Sequence, residues 1–326
     1  MAKNQMIEEC QQKVLAGGEI SKEEALLLVQ QDLEELCAAA NEIRQAFCDN
    51  AFDICTIING KSGRCSENCK YCAQSACYTT DIESYPLLST EEILAEAKKN
   101  AEQGVLRYSI VTSGRSLNDE EIDQVCESIR EIRRQVDIEI CASFGLLQKE
   151  QLRKLKEAGV TRIHNNLEAS AHFFPQVCTS HTHEEKVATI HAAHQVGLNV
   201  CSGGIMGLGE TMEDRINMAM ELRSLGVKSV PVNMLNPIPG TPYEHREHLS
   251  MEEMRRIVAI YRFLLPDASI RLAGGRGIMQ DKGVSCFQSG ANAAISGDML
   301  TTSGITVEKD MQILEELGYE PKLWTK

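Results

Sequence analysis

The sequence has no long apolar run. Nothing in it approaches the roughly 20 consecutive apolar residues that a bilayer-crossing helix needs, so no transmembrane helix is expected. The opening MAKNQMIEEC has no apolar core, which reads against a secretory leader. Basic charge is scarce as well: 33 Lys and Arg face 47 Asp and Glu, for a net charge of −14. Such a chain presents no broad field for nucleic-acid phosphates, although a small basic pocket for an anion remains open to it. No low-complexity linker divides the chain and no tandem repeat runs through it. With 43% hydrophobic residues, disorder is not expected.

The chain does have thirteen cysteines. With no leader, they are expected in a reducing compartment, the cytoplasm. There, clustered cysteines read as metal or catalytic sites rather than as disulfides, and their odd number points the same way.

The first fifty residues are expected to be helical, with Ser21-Lys22-Glu23-Glu24 as a capped start. Strand-like segments follow: DICTII from Asp53, LRYSIV around Arg107, IEICAS around Cys141, TRIHNN around His164, LNVCSGGI around Cys201, SVPVNML around Asn233, SIRLAG around Arg271 and ANAAIS near Ala293. Helical patterns lie between them at Thr90–Gln103, Asp119–Val136, Gln148–Gly159, Glu184–Gly197, Thr211–Gly226 and Met251–Phe263, several ending at Gly. Eight strands with helical crossovers predict an α/β fold, a (β/α)8 TIM-type barrel with an N-terminal helical extension; a doubly wound open sheet is the alternative. The expected organisation is an extension over 1–50 and a barrel with a C-terminal helical segment over 51–326, at a length one barrel domain can reach.

The loop KSGRCSENCKYCAQSACY carries Cys65, Cys69 and Cys72 at x3 and x2 spacing. Three thiolates can hold three corners of a [4Fe-4S] cubane and leave one iron free. That iron can chelate the amino and carboxylate groups of S-adenosylmethionine, so that one electron cleaves the sulfonium to a 5′-deoxyadenosyl radical. A structural zinc site is the competing reading, but it usually brings a fourth Cys or His and paired CxxC spacing, which this loop lacks. Tyr71, beside the third thiol, is placed to stack on adenine or simply to pack.

CSENCKYCAQS, EICASFG, NNLEAS, NVCSGGIMGLGET, VPVNMLNPIPGTP, RLAGGR and CFQSGANA resemble, in order, the successive motifs of the biotin synthase family and cover nearly the whole chain after the N-terminal helices. The resemblance implies a radical S-adenosylmethionine enzyme that inserts sulfur between two saturated carbons of dethiobiotin. It further implies a barrel fold, a homodimer, a flavodoxin- or ferredoxin-like electron donor and an auxiliary iron–sulfur cluster as sulfur source. In the family a [2Fe-2S] cluster is held by three barrel cysteines and an arginine. Cys141, Cys201 and Arg271 match three of these positions, but Ser109 stands where the remaining cysteine belongs. Cys55, where other members carry serine, is the expected replacement, and the cluster then is [2Fe-2S] or larger.

The same resemblance assigns cofactor contacts to Thr112, Ser113, Asn166, Glu168 and Lys186, and substrate contacts to His164, Asn166 and Asn233. Lys186 replaces an expected Arg, keeping charge but not the bidentate fork. His164 replaces an expected Asn and leaves room for an altered substrate. Gly203, Gly204 and GLGE resemble the family's glycine-rich cofactor wall. Cys10, Cys37, Cys48, Cys126, Cys178 and Cys286 are read as structural. Two other readings stay open: a related radical enzyme such as a methylornithine synthase or hydrogenase maturase, and a non-catalytic iron–sulfur or zinc protein.

Overall fold

The computed structural model describes residues 4–324. Three helices come first, α1 (Gln5–Leu15), α2 (Lys22–Val29) and α3 (Leu33–Cys48). Ser21 closes a reciprocal capping box with Glu24 at the start of α2, as its sequence predicts.

The barrel then alternates strand and helix: β1 (Ala51–Lys61), α4 (Thr90–Glu102), β2 (Arg107–Thr112), α5 (Asp119–Gln135), β3 (Glu139–Ser143), α6 (Lys149–Ala158), β4 (Arg162–His164), then α7 (Phe174–Val177) and α8 (His183–Gln195). It continues with β5 (Asn199–Cys201), β6 (Gly204–Met206), α9 (Met212–Ser224), β7 (Ser229–Met234), α10 (Met251–Leu264), β8 (Ser269–Leu272), α11 (Val284–Phe287) and β9 (Ala293–Ser296). Helix α12 (Val307–Leu317) and the two-residue β10 (Glu320–Pro321) end the described chain. All ladders are parallel, and β1 pairs with both β2 and β9, so the ring is a closed barrel rather than an open sheet. Helix α3 packs on α10, and β10 adds to β1 at Ala51.

The sequence gives LNVCSGGI as one strand, whereas the structure breaks it between β5 and β6. Glycine at 203 is the reason: a Cβ there would lie 1.9 Å from the Pro231 carbonyl oxygen, so only a bare backbone passes β7 at this point. The Gly203 amide turns away from the ladder and donates to Asn166 Oδ1 at 3.1 Å. The short helix α7 and strand β10 have no counterpart in the sequence reading.

Strand alternation sorts the side chains. Ile54, Tyr108, Ile110, Ile140, Ile163, Val200, Val230 and Ile270 belong to the continuous apolar core under the helices. The opposite parity is polar or thiol-bearing: Asp53, Cys55, Arg107, Ser109, Cys141, Arg162, His164, Cys201 and Arg271, nearly all buried. Such an interior is costly without partners, and it marks the inside of the barrel as the place to look for chemistry.

Candidate active site inside the barrel

At the floor lies one carboxylate among three guanidinium groups. Asp53 is fully buried, 3.0 Å from Arg107 Nε, 3.0 Å from Arg271 Nη2 and 3.6 Å from Arg162 Nη1. Burial alone would raise its carboxyl, but the three cations overcome that and hold it down at about 2. One negative against three positive charges leaves this layer positive. Arg271 also donates through Nη1 to the carbonyls of Asp53 and Ala294, at 2.8 and 2.9 Å.

Immediately above, Cys55, Ser109, Cys141, Cys201 and Arg271 line one narrow chamber with Arg107 and Arg162. Strand register brings them together: Ser109 lies beside Cys141, Cys141 beside Arg162, and His164 beside Cys201. Burial pushes the Cys55 and Cys141 thiols up, with arginines opposing: Arg271 at Cys55, Arg107 and Arg162 at Cys141. Ser109 Oγ and Arg162 Nε are buried without a hydrogen-bond partner, and Ser229 Oγ donates to Cys201 Sγ at 3.3 Å. Three thiols, an orphaned hydroxyl and excess positive charge form a donor set suited to an anionic iron–sulfur group, and they fit the auxiliary cluster.

Ile57, His164 and Ile295 line both this chamber and a cavity of about 290 Å³ above it, near the size of a small-ligand site. Asn166, Glu168 and Asn233 face the same cavity. Asn166 Oδ1 accepts from the Gly203 amide and from His164 Nε2 at 2.9 Å, which makes that nitrogen the protonated one and leaves His164 Nδ1 as an acceptor. Burial lowers His164 to about 4, so the ring is neutral near pH 7. Asn233 is fixed by two backbone bonds, accepting from Gly274 N at 2.8 Å and donating to Gly204 O at 3.0 Å. Glu168 has a left-handed backbone, φ 70°, uncommon for a non-glycine residue and held here by backbone bonds to Gly203 and Ile205. Its carboxyl is raised by burial against the pull of Lys186 and of hydrogen bonds from Tyr71 and Asn166.

The cysteine loop after β1 forms the rim. It is folded by backbone bonds between Cys65 and Gln74, Ala76 and Cys65, and Cys72 and Cys69. Among the described residues, the His, Cys, Asp or Glu trio whose ligand atoms all lie within 4.8 Å is Cys69, Cys178 and His181, not Cys65, Cys69 and Cys72. The three loop thiols are not all within 4.8 Å of one another, wider than the about 3.8 Å edge of a tetrahedral zinc–thiolate site. They share a second cavity with Thr112, Ser113, Asn166, Glu168 and Lys186, so the cofactor residues expected from sequence face one space. Tyr71, Cys72, His164, Asn166 and Glu168 line both upper cavities and join them.

Sequence reading missed Asp53, Arg107 and Arg162, although Asp53 shares parity with Cys55, Arg107 with Ser109 and Arg162 with His164. It also missed the place of Cys178, which touches the cysteine loop rather than filling the core. Cys77 is exposed. No helix among the described residues is long and apolar enough to cross a membrane.

Residues 59–222 match the radical SAM superfamily, and residues 231–320 match the biotin and thiamin synthesis associated domain. The chain is 59% identical to a biotin synthase of Brachyspira hyodysenteriae, over 97% of this chain and 95% of that one. It is 58% identical to a biotin synthase of Akkermansia muciniphila, over 95% and 97%. Among solved structures, methylornithine synthase superposes with a TM-score of 0.84 over 97% of this chain and 98% of that one, at 20% identity. The FeFe-hydrogenase maturase HydG from Carboxydothermus hydrogenoformans gives 0.82 over 98% and 80%, at 19% identity. At these identities the two structures establish the fold alone.

Proposed function

The chain belongs to the biotin synthase family of radical S-adenosylmethionine enzymes, and from that premise we propose how its residues divide the conversion of dethiobiotin to biotin. The reaction replaces two unactivated C–H bonds with C–S bonds. Such bonds are far too weak as acids for any side-chain base, so proton transfer cannot begin it. When loaded, the cubane with bound S-adenosylmethionine supplies a 5′-deoxyadenosyl radical, and the auxiliary cluster supplies the sulfur.

Cys65, Cys69 and Cys72 hold the cubane. Glu168 accepts from the cofactor's ribose, Lys186 meets its carboxylate, Thr112 and Ser113 bound its methionine end, and Tyr71 stacks on the adenine. Asn166, Asn233 and neutral His164 hold the ureido ring, with His164 Nδ1 accepting an N–H where the usual Asn would offer its carbonyl. Ile57, Val111, Ile205 and Ile295 make the wall apolar and keep water from the reacting carbons. Cys55, Cys141 and Cys201 hold the auxiliary cluster, Arg271 neutralises it, and Ser109 takes no thiolate role.

One observation carries this reading: two separate thiol triads lie above and below a single cavity lined by His164, Asn166 and Asn233. The family likeness adds a homodimer and a flavodoxin or ferredoxin as donor, which size-exclusion chromatography and reduction by each purified donor will test. The deciding assay is anaerobic turnover of the reconstituted chain with dethiobiotin, S-adenosylmethionine and a reductant. The expected yield is about two 5′-deoxyadenosine per biotin, one for each hydrogen removed. Reduced, reconstituted protein that forms no 5′-deoxyadenosine overturns the reading.

A further inference from the structure

The segment after α7 is stitched to the cysteine loop. Lys70 N donates to Val177 O at 3.0 Å, and the amides of Thr179 and Ser180 donate to Asn68 Oδ1 at 2.9 and 3.1 Å. This brings Cys178 Sγ within 3.6 Å of Cys69 Sγ and His181 Nδ1 within 3.3 Å of Cys178 Sγ, with all three ligand atoms inside 4.8 Å of one another. Metal–sulfur bonds of about 2.3 Å and metal–nitrogen bonds of about 2.0 Å give tetrahedral edges of about 3.8 Å for S···S and about 3.5 Å for S···N. The Cys69–Cys178 and Cys178–His181 separations lie within a few tenths of an ångström of those edges, and the Cys69–His181 separation is under 4.8 Å. Glu67 Oε2 accepts from His181 Nδ1 at 2.6 Å, a bond that a metal on that nitrogen replaces, and Cys178 and His181 are both buried.

We propose that the cluster-free chain binds one thiophilic divalent cation, such as Zn2+, through Cys69, Cys178 and His181, at a site that shares Cys69 with the cubane. Binding forms two metal–thiolate bonds and one metal–imidazole bond. The two thiol protons leave to water, and the imidazole proton moves from Nδ1 to Nε2, which is otherwise without a partner. No electron is transferred. Because Cys69 cannot serve both groups, the cation must leave before the cubane is complete, and Zn2+ present before iron and sulfide blocks assembly. The proposal takes only the cubane role of Cys69 from the functional reading above, and its first test needs no cluster at all.

That test titrates the reduced, anaerobic, cluster-free full chain with Co2+, in a C55A/C141A/C201A background that silences the lower chamber. One tetrahedral Co2+ with thiolate charge-transfer bands is expected, displaced by one equivalent of Zn2+. Adding C178A or H181A should weaken binding at least about tenfold. A C178A chain that binds Co2+ as tightly, with unchanged thiolate bands, overturns the proposal. The second test uses the otherwise native sequence and does not depend on that background folding. One equivalent of Zn2+ before iron and sulfide should lower the cubane yield, and C178S should restore it. Equal yields with and without Zn2+ in the native chain overturn the sharing of Cys69, whatever becomes of the biotin-forming activity.

Discussion

Replacing Asp53 with Asn removes the one carboxylate that faces Arg107, Arg162 and Arg271 while keeping its shape. All four groups are buried, with side-chain exposures between 0% and 7%, so solvent cannot take over the lost interaction. Stripping one partner from a buried ion pair costs about 3–5 kcal/mol. A chain of 326 residues unfolds with about 0.7 kcal/mol/K of entropy, so this cost lowers Tm by about 4–7 °C. The sign of the pH dependence follows from the carboxyl being held at about 2, below its ordinary 3.8. A depressed acid contributes stability that is present above its unfolded value and lost as pH falls through its folded one. The gap between wild type and D53N should therefore be constant from about pH 5 to 8 and close only in strong acid. The assay is thermal melting of the reduced, cluster-free chain, with R162M as a comparison. Removing one of the three cations should cost less than removing the only anion. A D53N melt within about 1 °C of wild type, or an R162M loss larger than that of D53N, refutes this account of the barrel floor.

The C55A variant should lose most of its auxiliary iron and sulfide while keeping the cubane, read by anaerobic iron and sulfide analysis with Mössbauer spectroscopy; full biotin formation with an intact auxiliary cluster would remove Cys55 from the ligand set. For G203A, the Cβ must move about 1.5 Å from the Pro231 oxygen to reach ordinary contact, and since a displacement of about 1 Å near the chemistry can cost about 100-fold, turnover should fall by that order with Cys201 pulled out of place. Neutral His164, lowered to about 4, should give no ionisation limb in the kcat profile between about pH 5.5 and 8, and H164N should keep that flat profile; a limb near pH 6.5 that H164N abolishes would contradict the geometry. Replacing Lys186 with Ala should raise KM for S-adenosylmethionine by about tenfold or more with a smaller change in kcat, since a hydrogen-bonded charge is worth about 1.5–3 kcal/mol.

Much of the barrel was legible because its signals are local. Five of the six expected helices carry a side-chain N-cap of their own, and the strands show apolar alternation, so all six begin and end within two residues of those observed. The break at Gly203 was not legible, because its cause is the Pro231 carbonyl of a neighbouring strand. The thiols and asparagines of the cavity stood out through motif likeness. Asp53 and the two strand arginines did not, since a charge in a strand reads equally well as solvent-facing until the ring is closed. Cys178 was hidden for a related reason: only the long-range bonds from Asn68 and Lys70 bring it to the loop.

Barrel closure also sets an order in time. Asp53 and Cys55 in β1 complete their second ladder only with Ala293 and Ile295, about 240 residues later. At a synthesis rate of roughly 5–20 residues per second, the earliest chamber thiol waits on the order of 10–50 s before its last neighbouring strand arrives. During that interval it is an unshielded thiol on an unfinished sheet edge. The chamber around Cys55, Cys141, Cys201 and Arg271 is therefore walled on every side only once β9 has been made.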